Sequence, residues 1–278
     1  MPVDHQDASR RRRLGLVVHA SRRPAAEVAQ RLAGMAEDRG IDTVRVGLTE
    51  PAAAGSVDAV IGIGGDGTLL EAAQVAHAAD LPVAGVNLGT VGYLTEFEPD
   101  ALDVLLDAVA QRPLRQVERM TVRASTADGR TWHGINDVVL EKVVSQRIIR
   151  VALAIDGEHF ATYRADGIIV ATPLGSTAYS LSVGGPVLDP ELAALVVSPV
   201  APHSLLSRSL VLAPDTTMRF TVDGDRPIRV NLDGREACVI EEGETLIVGR
   251  GDRPVRFISG GASPFPQAVR RQFGIDHA

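Results

Sequence analysis

The residue types best suited to chemistry lie in one short run, Ile61-Gly62-Ile63-Gly64-Gly65-Asp66-Gly67-Thr68. The apolar stretch Asp58–Ile61 enters this run and is typical of a buried strand. The stretch Thr68–Ala73 is typical of a helix start, with Thr68 as the capping residue and Glu71 completing a capping box. A strand, a glycine turn and a helix N-terminus together predict a concave site lined by backbone N–H groups, which suits phosphate.

Asp66 lies at the centre of this glycine loop. A carboxylate inside an anion site is unfavourable unless it handles a proton or a metal ion. We therefore interpret Asp66 as a general base or a metal partner in phosphoryl transfer. The simpler alternative is a tight strand-to-helix turn in which Asp66 serves only as a cap.

Two other nucleotide-binding loops fit the sequence poorly. Lys142 is the only lysine and follows Glu141, whereas the Walker A loop requires Gly-Lys-Ser/Thr. Gly62, Gly64 and Gly67 have the Rossmann spacing, but a pyrophosphate-binding turn gains nothing from an aspartate between them. Phosphoryl transfer here must then rely on Mg²⁺, backbone N–H groups and arginines to neutralise the charge of the donor.

A second polar cluster occupies the stretch Arg164–Pro186. An apolar strand, Ile168–Ala171, leads into a loop rich in small hydroxyl residues that also contains Tyr179. Because only 4% of the residues are aromatic, a tyrosine beside so many hydroxyls predicts a flat ligand group stacked among hydrogen bonds. An ordinary serine- and glycine-rich loop with Tyr179 packed inward is the alternative.

The elements that must position these residues change in character near residue 112. Before it, strands and helices alternate, which predicts a doubly wound parallel sheet. The expected strands are Leu14–His19, Thr43–Gly47 and Leu81–Val86, and the expected helices are Pro24–Arg39, Thr68–Ala79 and Pro99–Gln111. From Arg115 onward, β-branched runs separated by Asp-Gly turns predict an antiparallel, sandwich-like β-rich domain. We expect an α/β domain over residues 1–112, a β-rich domain over 113–260, and a tail, 261–278, packed back on the first domain.

Composition limits the class of protein. The 278 residues suggest about two domains, and 45% hydrophobic residues are ample for their cores. A net charge of −7 argues against nucleic acid as a partner. The one cysteine, Cys238, cannot form an intrachain disulfide and fits a reducing compartment. Without an apolar stretch long enough for a bilayer, we expect a cytoplasmic protein with no membrane partner.

Several motifs together point to one family. Gly64–Thr68, Asn87–Leu94, Asn136–Leu140, Thr172–Pro186 and Pro202–Leu205 with Arg208 occur in this order. The ordered set closely resembles the ATP/polyphosphate-dependent NAD kinases over roughly residues 14–260. The resemblance implies phosphorylation of the adenosine-ribose 2′-hydroxyl of NAD to give NADP. It also implies ATP or polyphosphate as donor, Mg²⁺ bound with the donor, and a homodimer or homotetramer.

The resemblance also implies roles for particular residues. Asp66 would accept the proton of the 2′-hydroxyl, and Gly64, Gly65, Gly67 and Thr68 would hold phosphates. Asn136 would meet the adenine edge and Asp137 the ribose hydroxyls. The other implied NAD-site residues are Arg147, Arg164, Asp166, Leu174, Thr177, Ala178, Tyr179, Ser180, Leu181 and Ser182. Arg147 or Asp166 would act on the ligand of a neighbouring chain, Arg164 implies a preference for NAD over NADH, and no residue is assigned as a metal ligand.

Three residues depart from the usual family pattern. Asp137 replaces a glutamate, Leu174 replaces a threonine, and Arg235 follows Asp233-Gly234 where some relatives have an amide. These departures concern the contacts with NAD rather than the class of reaction.

Two other classes of function share part of the pattern. A lipid or sphingoid kinase would share the Asp66 loop, but it would have a more apolar pocket and no use for Asn136 and Asp137. A non-catalytic NAD-binding regulator would keep Thr177–Ser182 and would not need Asp66. Whether the protein phosphorylates NAD or a lipid distinguishes it from a lipid or sphingoid kinase. Whether any phosphorylated product forms distinguishes it from a non-catalytic regulator.

Overall fold

A computed structural model describes residues 11–48, 54–89, 97–145, 147–203, 206–260 and 265–275. Residues 90–94 of one motif and 204–205 of another lie outside these ranges, as do residues 95–96, 261–264 and 276–278. The chain divides into two compact units, Met1–Glu118 with Val255–Ala278, and Arg119–Pro254. The domain boundaries that we expect from the sequence, near residues 112 and 260, stay a prediction. No helix in the described ranges is long and apolar enough to cross a membrane.

The strands and helices are numbered here in chain order. The strands are β1 (Arg13–Val18), β2 (Asp42–Arg45), β3 (Ala59–Gly64), β4 (Pro82–Asn87), β5 (Gln116–Arg119), β6 (Val122–Thr126), β7 (Thr131–Gly134), β8 (Asp137–Lys142), β9 (Ile149–Ile155), β10 (Glu158–Ala165), β11 (Gly167–Ala171), β12 (Leu195–Val200), β13 (Leu210–Leu212), β14 (Met218–Val222), β15 (Ile228–Leu232), β16 (Arg235–Ile240), β17 (Thr245–Arg250) and β18 (Val255–Ile258). The helices are α1 (Arg23–Asp38), α2 (Asp66–Ala78), α3 (Leu102–Ala110), α4 (Tyr179–Ser182) and α5 (Phe265–Phe273), with a 3₁₀ turn at Leu174–Thr177.

The first unit is built on a six-stranded sheet in the order β2-β1-β3-β4-β18-β5. The pairs β1–β2, β1–β3, β3–β4 and β4–β18 are parallel. Strands β3 and β4 are buried throughout, as expected when helices cover both faces of a parallel sheet. Leu32 of α1 and Leu105 of α3 share one core with Leu14 and Ile61 of the sheet.

Helix α2 covers the opposite face of this sheet. At Gly62 of β3, a Cβ atom would lie 3.0 Å from the Cβ of Ala72 and 3.1 Å from the Cα of Leu69. The glycine therefore lets α2 pack directly on the strand. Helices on both faces confirm the predicted doubly wound sheet.

The strand order places a switch point between β1 and β3. The chain passes from β1 through α1 to β2 on one side, and from β3 through α2 to β4 on the other. In open α/β sheets, ligands bind outside the carboxyl ends of the strands at such a point. The glycine loop follows the carboxyl end of β3 and therefore lies where a ligand is expected.

The second unit is a sandwich of two antiparallel sheets. Their orders are β10-β9-β14-β17-β6-β7 and β13-β12-β11-β8-β15-β16. Inward side chains of both sheets, among them Phe220 and Tyr163 from one and Leu140 and Ile168 from the other, form one core. The second sheet also buries Val139 and Ile169 on its other face. The sandwich confirms the fold predicted from the Asp-Gly turns and β-branched runs.

The helix that follows the glycine loop begins earlier than expected. The sequence predicts a start capped by Thr68, whereas α2 begins at Asp66 with the backbone of Gly65 in the capping position. The N–H groups of Thr68 and Leu69 donate to the carbonyl of Gly65 at 2.9 and 3.1 Å. The predicted capping box of Thr68 and Glu71 is therefore wrong, because both residues lie inside the helix.

Candidate active site

The glycine loop places the carboxylate of Asp66 at the N-terminus of a helix. Asp66 is the first residue of α2 and follows β3 after one glycine. The N-terminal end of a helix carries a partial positive charge that favours an anionic side chain. The side chain of Asp66 is half-buried. This position gives Asp66 both a favourable electrostatic environment and access to a ligand at the switch point.

Thr68 holds the loop against its own strand. Its side chain is buried, and a Cβ at Gly64 would lie 2.3 Å from its Oγ1. The residue at position 64 must therefore be glycine for α2 to start here. The N–H of Leu88 donates to the carbonyl of Gly64 at 2.8 Å, which ties the loop to the end of β4. Gly67 is exposed and Gly65 half-buried, so the backbone of these two glycines is accessible to a phosphate.

In the second unit, the pair Asn136-Asp137 lies at the start of β8. The N–H of Thr172 donates to the carbonyl of Asn136 at 2.9 Å, and its hydroxyl donates to the carbonyl of Ile135 at 2.8 Å. The same hydroxyl accepts from the N–H of Gly175 at 3.0 Å. Thr172 therefore connects the Asn-Asp pair with the hydroxyl-rich loop.

Asp137 is a buried carboxyl group with an unusual pKa. Burial, and secondly the charge of Asp233, raise its pKa from 3.8 to about 7. Its side chain is 5% exposed. A buried carboxyl group whose pKa is raised to near neutral pH is typical of a functional site.

The hydroxyl-rich loop divides into buried and accessible residues. Leu174 and Ser180 are buried, whereas Thr177, Ala178 and Leu181 are half-buried, and Tyr179 and Ser182 are exposed. Tyr179 starts α4, and its ring is 42% exposed, so the alternative of an inward-packed tyrosine is wrong. A ring in this position can stack on a flat group.

Ser180 has an internal partner. Its hydroxyl is hydrogen-bonded to that of Ser198 at 3.0 Å, and Ser198 is hydrogen-bonded in turn to Ser209 at 2.8 Å. Both Ser180 and Ser198 are fully buried. The chain of hydroxyls therefore fixes α4 to β12, and the contact of Ser180 with NAD stays a prediction.

The charged residues expected near NAD occupy different environments. Asp166 forms an ion pair with Lys142, with 2.7 Å between Oδ2 and Nζ, and the N–H of Lys142 donates to the carbonyl of Asp166 at 3.1 Å. Arg147 and Arg164 are exposed. The ion pair leaves the carboxylate of Asp166 partly neutralised, whereas the two arginines are accessible to an anion.

The sequence did not indicate two residues, Asp233 and Ser198, that hold the Asn136-Asp137 pair and the hydroxyl-rich loop. Asp233 accepts hydrogen bonds from the backbone N–H groups of Ile135, Asn136 and Asp137, and Ser198 holds α4. Asp233-Gly234 was expected only as a turn. Neither contact has a local sequence signal, because Asp233 lies 97 residues from Asn136 and Ser198 lies 18 residues from Ser180 along the chain.

A metal ion would find no complete set of protein ligands here. In the described part of the chain, no group of three or more His, Cys, Asp or Glu side chains is arranged to hold one. Mg²⁺ bound to a nucleotide usually keeps several waters and uses one or two carboxylates with the phosphates. A single carboxylate, that of Asp66 at the glycine loop, fits that mode.

Comparison with known proteins gives the same picture for both units. Residues 26–113 match the family described as ATP-NAD kinase N-terminal domain, and residues 135–260 match ATP-NAD kinase C-terminal domain. The chain is 37% identical to an NAD kinase of Gemmatimonas aurantiaca over 224 residues, covering 78% of each protein. It is 35% identical to an NAD kinase of Mycolicibacterium paratuberculosis over 292 residues, covering 94% of each.

Solved structures share the fold. Yeast NADH kinase complexed with NADH superposes with a TM-score of 0.86 at 20% identity, covering 96% of this chain and 89% of that one. An NAD kinase from Archaeoglobus fulgidus in complex with ATP gives 0.75 at 24% identity, covering 95% and 98%. The two family models and the curated relatives define a kinase that acts on a nucleotide. The chain belongs to the ATP-NAD kinase family.

Proposed function

We propose that this protein transfers a phosphoryl group from ATP or polyphosphate to the 2′-hydroxyl of the adenosine ribose of NAD, giving NADP. The observation that carries the proposal is the placement of Asp66 in a chain of this family. Asp66 is the first residue of α2, directly after the Gly64-Gly65 turn at the switch point of the parallel sheet. A base and a phosphate-binding backbone therefore lie within one loop.

Asp66 acts as the general base. The 2′-oxygen of the ribose forms a bond to the transferred phosphorus while the bond from phosphorus to the departing donor oxygen breaks. The proton of the 2′-hydroxyl passes to the carboxylate of Asp66. The backbone N–H groups of Gly65 and Gly67 and the positive end of α2 stabilise the negative charge on the phosphates.

Mg²⁺, when bound with the donor, would neutralise charge on the donor phosphates. The carboxylate of Asp66, beside the glycine loop, would contact it, and the glycine loop would hold the phosphates themselves. The protein contributes position and electrostatics, which account for most of the catalysis in phosphoryl transfer.

The sandwich unit binds NAD. The exposed ring of Tyr179 stacks on a flat part of the dinucleotide, and Thr177, Ala178 and Ser182 line its edge. Asn136 meets the adenine, and the Asp137 carboxylate accepts hydrogen bonds from the ribose hydroxyls. The resemblance also gives Leu174, Ser180 and Leu181 as site residues. Arg164 favours NAD over NADH.

We further infer a cytoplasmic homodimer or homotetramer. In that assembly, Arg147 or Asp166 would act on the NAD bound by a neighbouring chain. Both residues lie beside β9–β11 of the sandwich, and Arg147 is exposed, so it is accessible to a neighbouring subunit. Size measurement in solution at several concentrations tests the assembly.

The decisive experiment measures NADP formation from NAD with ATP and with polyphosphate in parallel, each with and without Mg²⁺. NADH in place of NAD tests the preference assigned to Arg164, and a sphingoid base or diacylglycerol tests the lipid-kinase alternative. Formation of NADP supports the proposal. Lipid phosphorylation without NADP, or NAD binding without any phosphorylated product, contradicts it.

A further inference from the structure

One carboxylate outside the recognised motifs holds the backbone of the Asn136-Asp137 pair. Oδ2 of Asp233 accepts from the N–H of Ile135 at 2.8 Å. Its Oδ1 accepts from the N–H groups of Asn136 at 2.7 Å and Asp137 at 3.2 Å. The N–H of Asp233 donates in return to the carbonyl of Asp137 at 3.1 Å. Both oxygens of one side chain therefore fix three successive peptide groups.

The position of Asp233 is itself rigid. It is the first residue of the two-residue turn between β15 and β16, with Leu232 opposite Arg235. Asp233 and Gly234 have φ angles of 51° and 76°, which are those of a type I′ hairpin turn. Strand β15 also pairs with β8, with Leu232 opposite Val138. The sheet thus sets the carboxylate directly beside the start of β8.

We propose that Asp233 is a positioning residue of the NAD site: its carboxylate fixes the backbone that presents Asn136 and Asp137, and its charge acts on the Asp137 carboxyl group. The proposal rests on the proposed function, because it assigns Asp137 to the ribose hydroxyls of NAD. Asp233 acts through the backbone and through its charge rather than by contact with the substrate.

The charge of Asp233 has a measurable consequence. Burial and Asp233 raise the pKa of Asp137 to about 7. Among the described residues, Tyr179 of α4 also interacts with Asp137. Burial, and then the charges of Glu141, Asp166 and Asp137, raise the pKa of Tyr179 against the opposing effect of Lys142, so Tyr179 stays neutral near pH 7. Ribose hydroxyls donate to an ionised carboxylate, so KM for NAD should fall as pH rises through the pKa of Asp137.

The variant Asp233→Asn separates charge from shape. Asparagine tolerates the positive φ of the turn and keeps one acceptor oxygen, but it removes the negative charge and the acceptor for Ile135. Above about pH 8, where Asp137 is ionised in both proteins, we expect KM for NAD to rise about tenfold or more, with KM for ATP unchanged. The midpoint of the pH dependence of KM for NAD should move to lower pH, because the like charge beside Asp137 is gone.

Asp156→Asn provides a matched control. Asp156 also starts an Asp-Gly hairpin turn, has a φ of 50°, and accepts from the backbone N–H of Thr217 at 2.9 Å. It belongs to the other sheet of the sandwich. We expect this variant to keep the wild-type KM for NAD and the wild-type pH midpoint.

The outcomes are distinct. An unchanged KM for NAD in Asp233→Asn, or a raised KM with the wild-type pH midpoint, overturns the proposal. If that variant does not fold, Asp137→Asn serves instead: it should abolish the pH dependence of KM, and persistence of the midpoint overturns the proposal. A wild-type protein that forms no NADP would contradict the proposed function itself, which is a separate result.

Discussion

At the scale of single residues, two carboxyl groups, one in each unit, lie in different electrostatic environments. Asp66 is the first residue of α2, at the end of the helix that carries a partial positive charge. Asp137 is buried beside Asp233, where the protonated form is favoured. The proposed base, Asp66, and a carboxyl group whose pKa is raised to about 7, Asp137, therefore occur in one protein.

Asp66→Asn should abolish most of the activity. Asparagine keeps the shape of the side chain but cannot accept the proton, and base catalysis contributes about two to four orders of magnitude in rate. We expect kcat for NADP formation to fall on that scale, with NAD affinity nearly unchanged. The measurements are NADP production, NAD binding and thermal unfolding on the same variant.

Asp103→Asn is the control for that experiment. Asp103 forms an exposed ion pair with Arg39 in the same unit, and such pairs contribute about 0–1 kcal/mol. If Asp66 had only a structural role at the helix end, its variant would lose about 0.3–1 kcal/mol and keep normal kinetics. Wild-type kcat in Asp66→Asn would end the assignment of the base.

The raised pKa of Asp137 predicts a pH dependence of stability. The unfolded chain releases this proton near the ordinary pKa of 3.8, whereas the folded protein keeps it until about pH 7. The folded state therefore binds more protons between these values, and its stability falls as pH rises from about 4 to about 7. Above that range the contribution is constant.

Asp137→Asn should remove this slope. We expect the melting temperature of the variant, relative to the wild type, to be higher at pH 8 than at pH 5. The corresponding difference in unfolding free energy is on the order of a few kcal/mol at most. Parallel pH dependence of the two proteins would show that Asp137 is not the titrating group.

At the scale of elements, the hydroxyl-rich loop is held by two close contacts to neighbouring strands. Gly175 lies against the backbone just before β8, and Ser180 of α4 is bonded to β12 through Ser198. Short elements such as α4 have little stability of their own. Their geometry must therefore come from these tertiary contacts.

Gly175→Ala should displace the loop. A Cβ at this position would lie 2.1 Å from the carbonyl oxygen of Asn136, and backbone atoms cannot move aside easily. We expect a loss of about 1–3 kcal/mol in stability together with a raised KM for NAD. Gly249→Ala is the control, because its Cβ would meet only the carbonyl oxygen of Thr216 at 3.5 Å. Equal effects of the two variants would contradict the prediction.

Ser198→Ala, a change to a fully buried residue, should weaken NAD binding. The change leaves the buried hydroxyl of Ser180 and the half-buried hydroxyl of Ser209 without their shared partner. An unsatisfied buried polar group costs about 1–3 kcal/mol. We expect KM for NAD to rise while kcat changes little. Thr221→Val removes a comparable hydroxyl pair with Thr245, at 3.0 Å, in the other sheet. That variant should lose stability with no change in KM.

At the scale of the whole molecule, the chain crosses between its two compact units twice. It enters the sandwich near Arg119 and returns at Val255. Strand β18 then pairs with β4 in parallel and lies between β4 and β5 in the sheet. Val255 and Ile258 are each 1% exposed. The first unit is therefore completed only by residues near the end of the sequence.

Truncation after Pro254 should unfold the first unit. It removes an inner strand of the sheet and leaves β4 without a neighbour on one side, so its backbone groups and apolar side chains lose their partners. We expect loss of NADP formation and of one thermal transition, with the β-sheet circular dichroism of the sandwich retained. Truncation after Gly260, which keeps β18, should retain the cooperative unfolding of the sheet. If both truncated proteins lose the cooperative unfolding of the sheet, β18 is not what stabilises the first unit, and the prediction is wrong.

The sequence alone determined the class of fold, the family and the order of the motifs. Alternation of apolar strands with helices indicates a parallel sheet, and Asp-Gly turns between β-branched runs indicate a sandwich, because both signals depend on neighbouring residues. The motif around Asp66 could be recognised for the same reason, since its glycines and carboxylate are adjacent in the chain.

Only the tertiary structure decided which residues support the site. Helix α2 starts at Asp66 rather than Thr68, because packing of Thr68 on Gly64 fixes the helix start. The hydroxyl of Ser180 faces Ser198, and the carboxylate of Asp233 holds the backbone at Asn136 across 97 positions of sequence. Hydrogen bonds between distant residues leave no periodic pattern in the sequence, so they become visible only when the sheets bring their partners together.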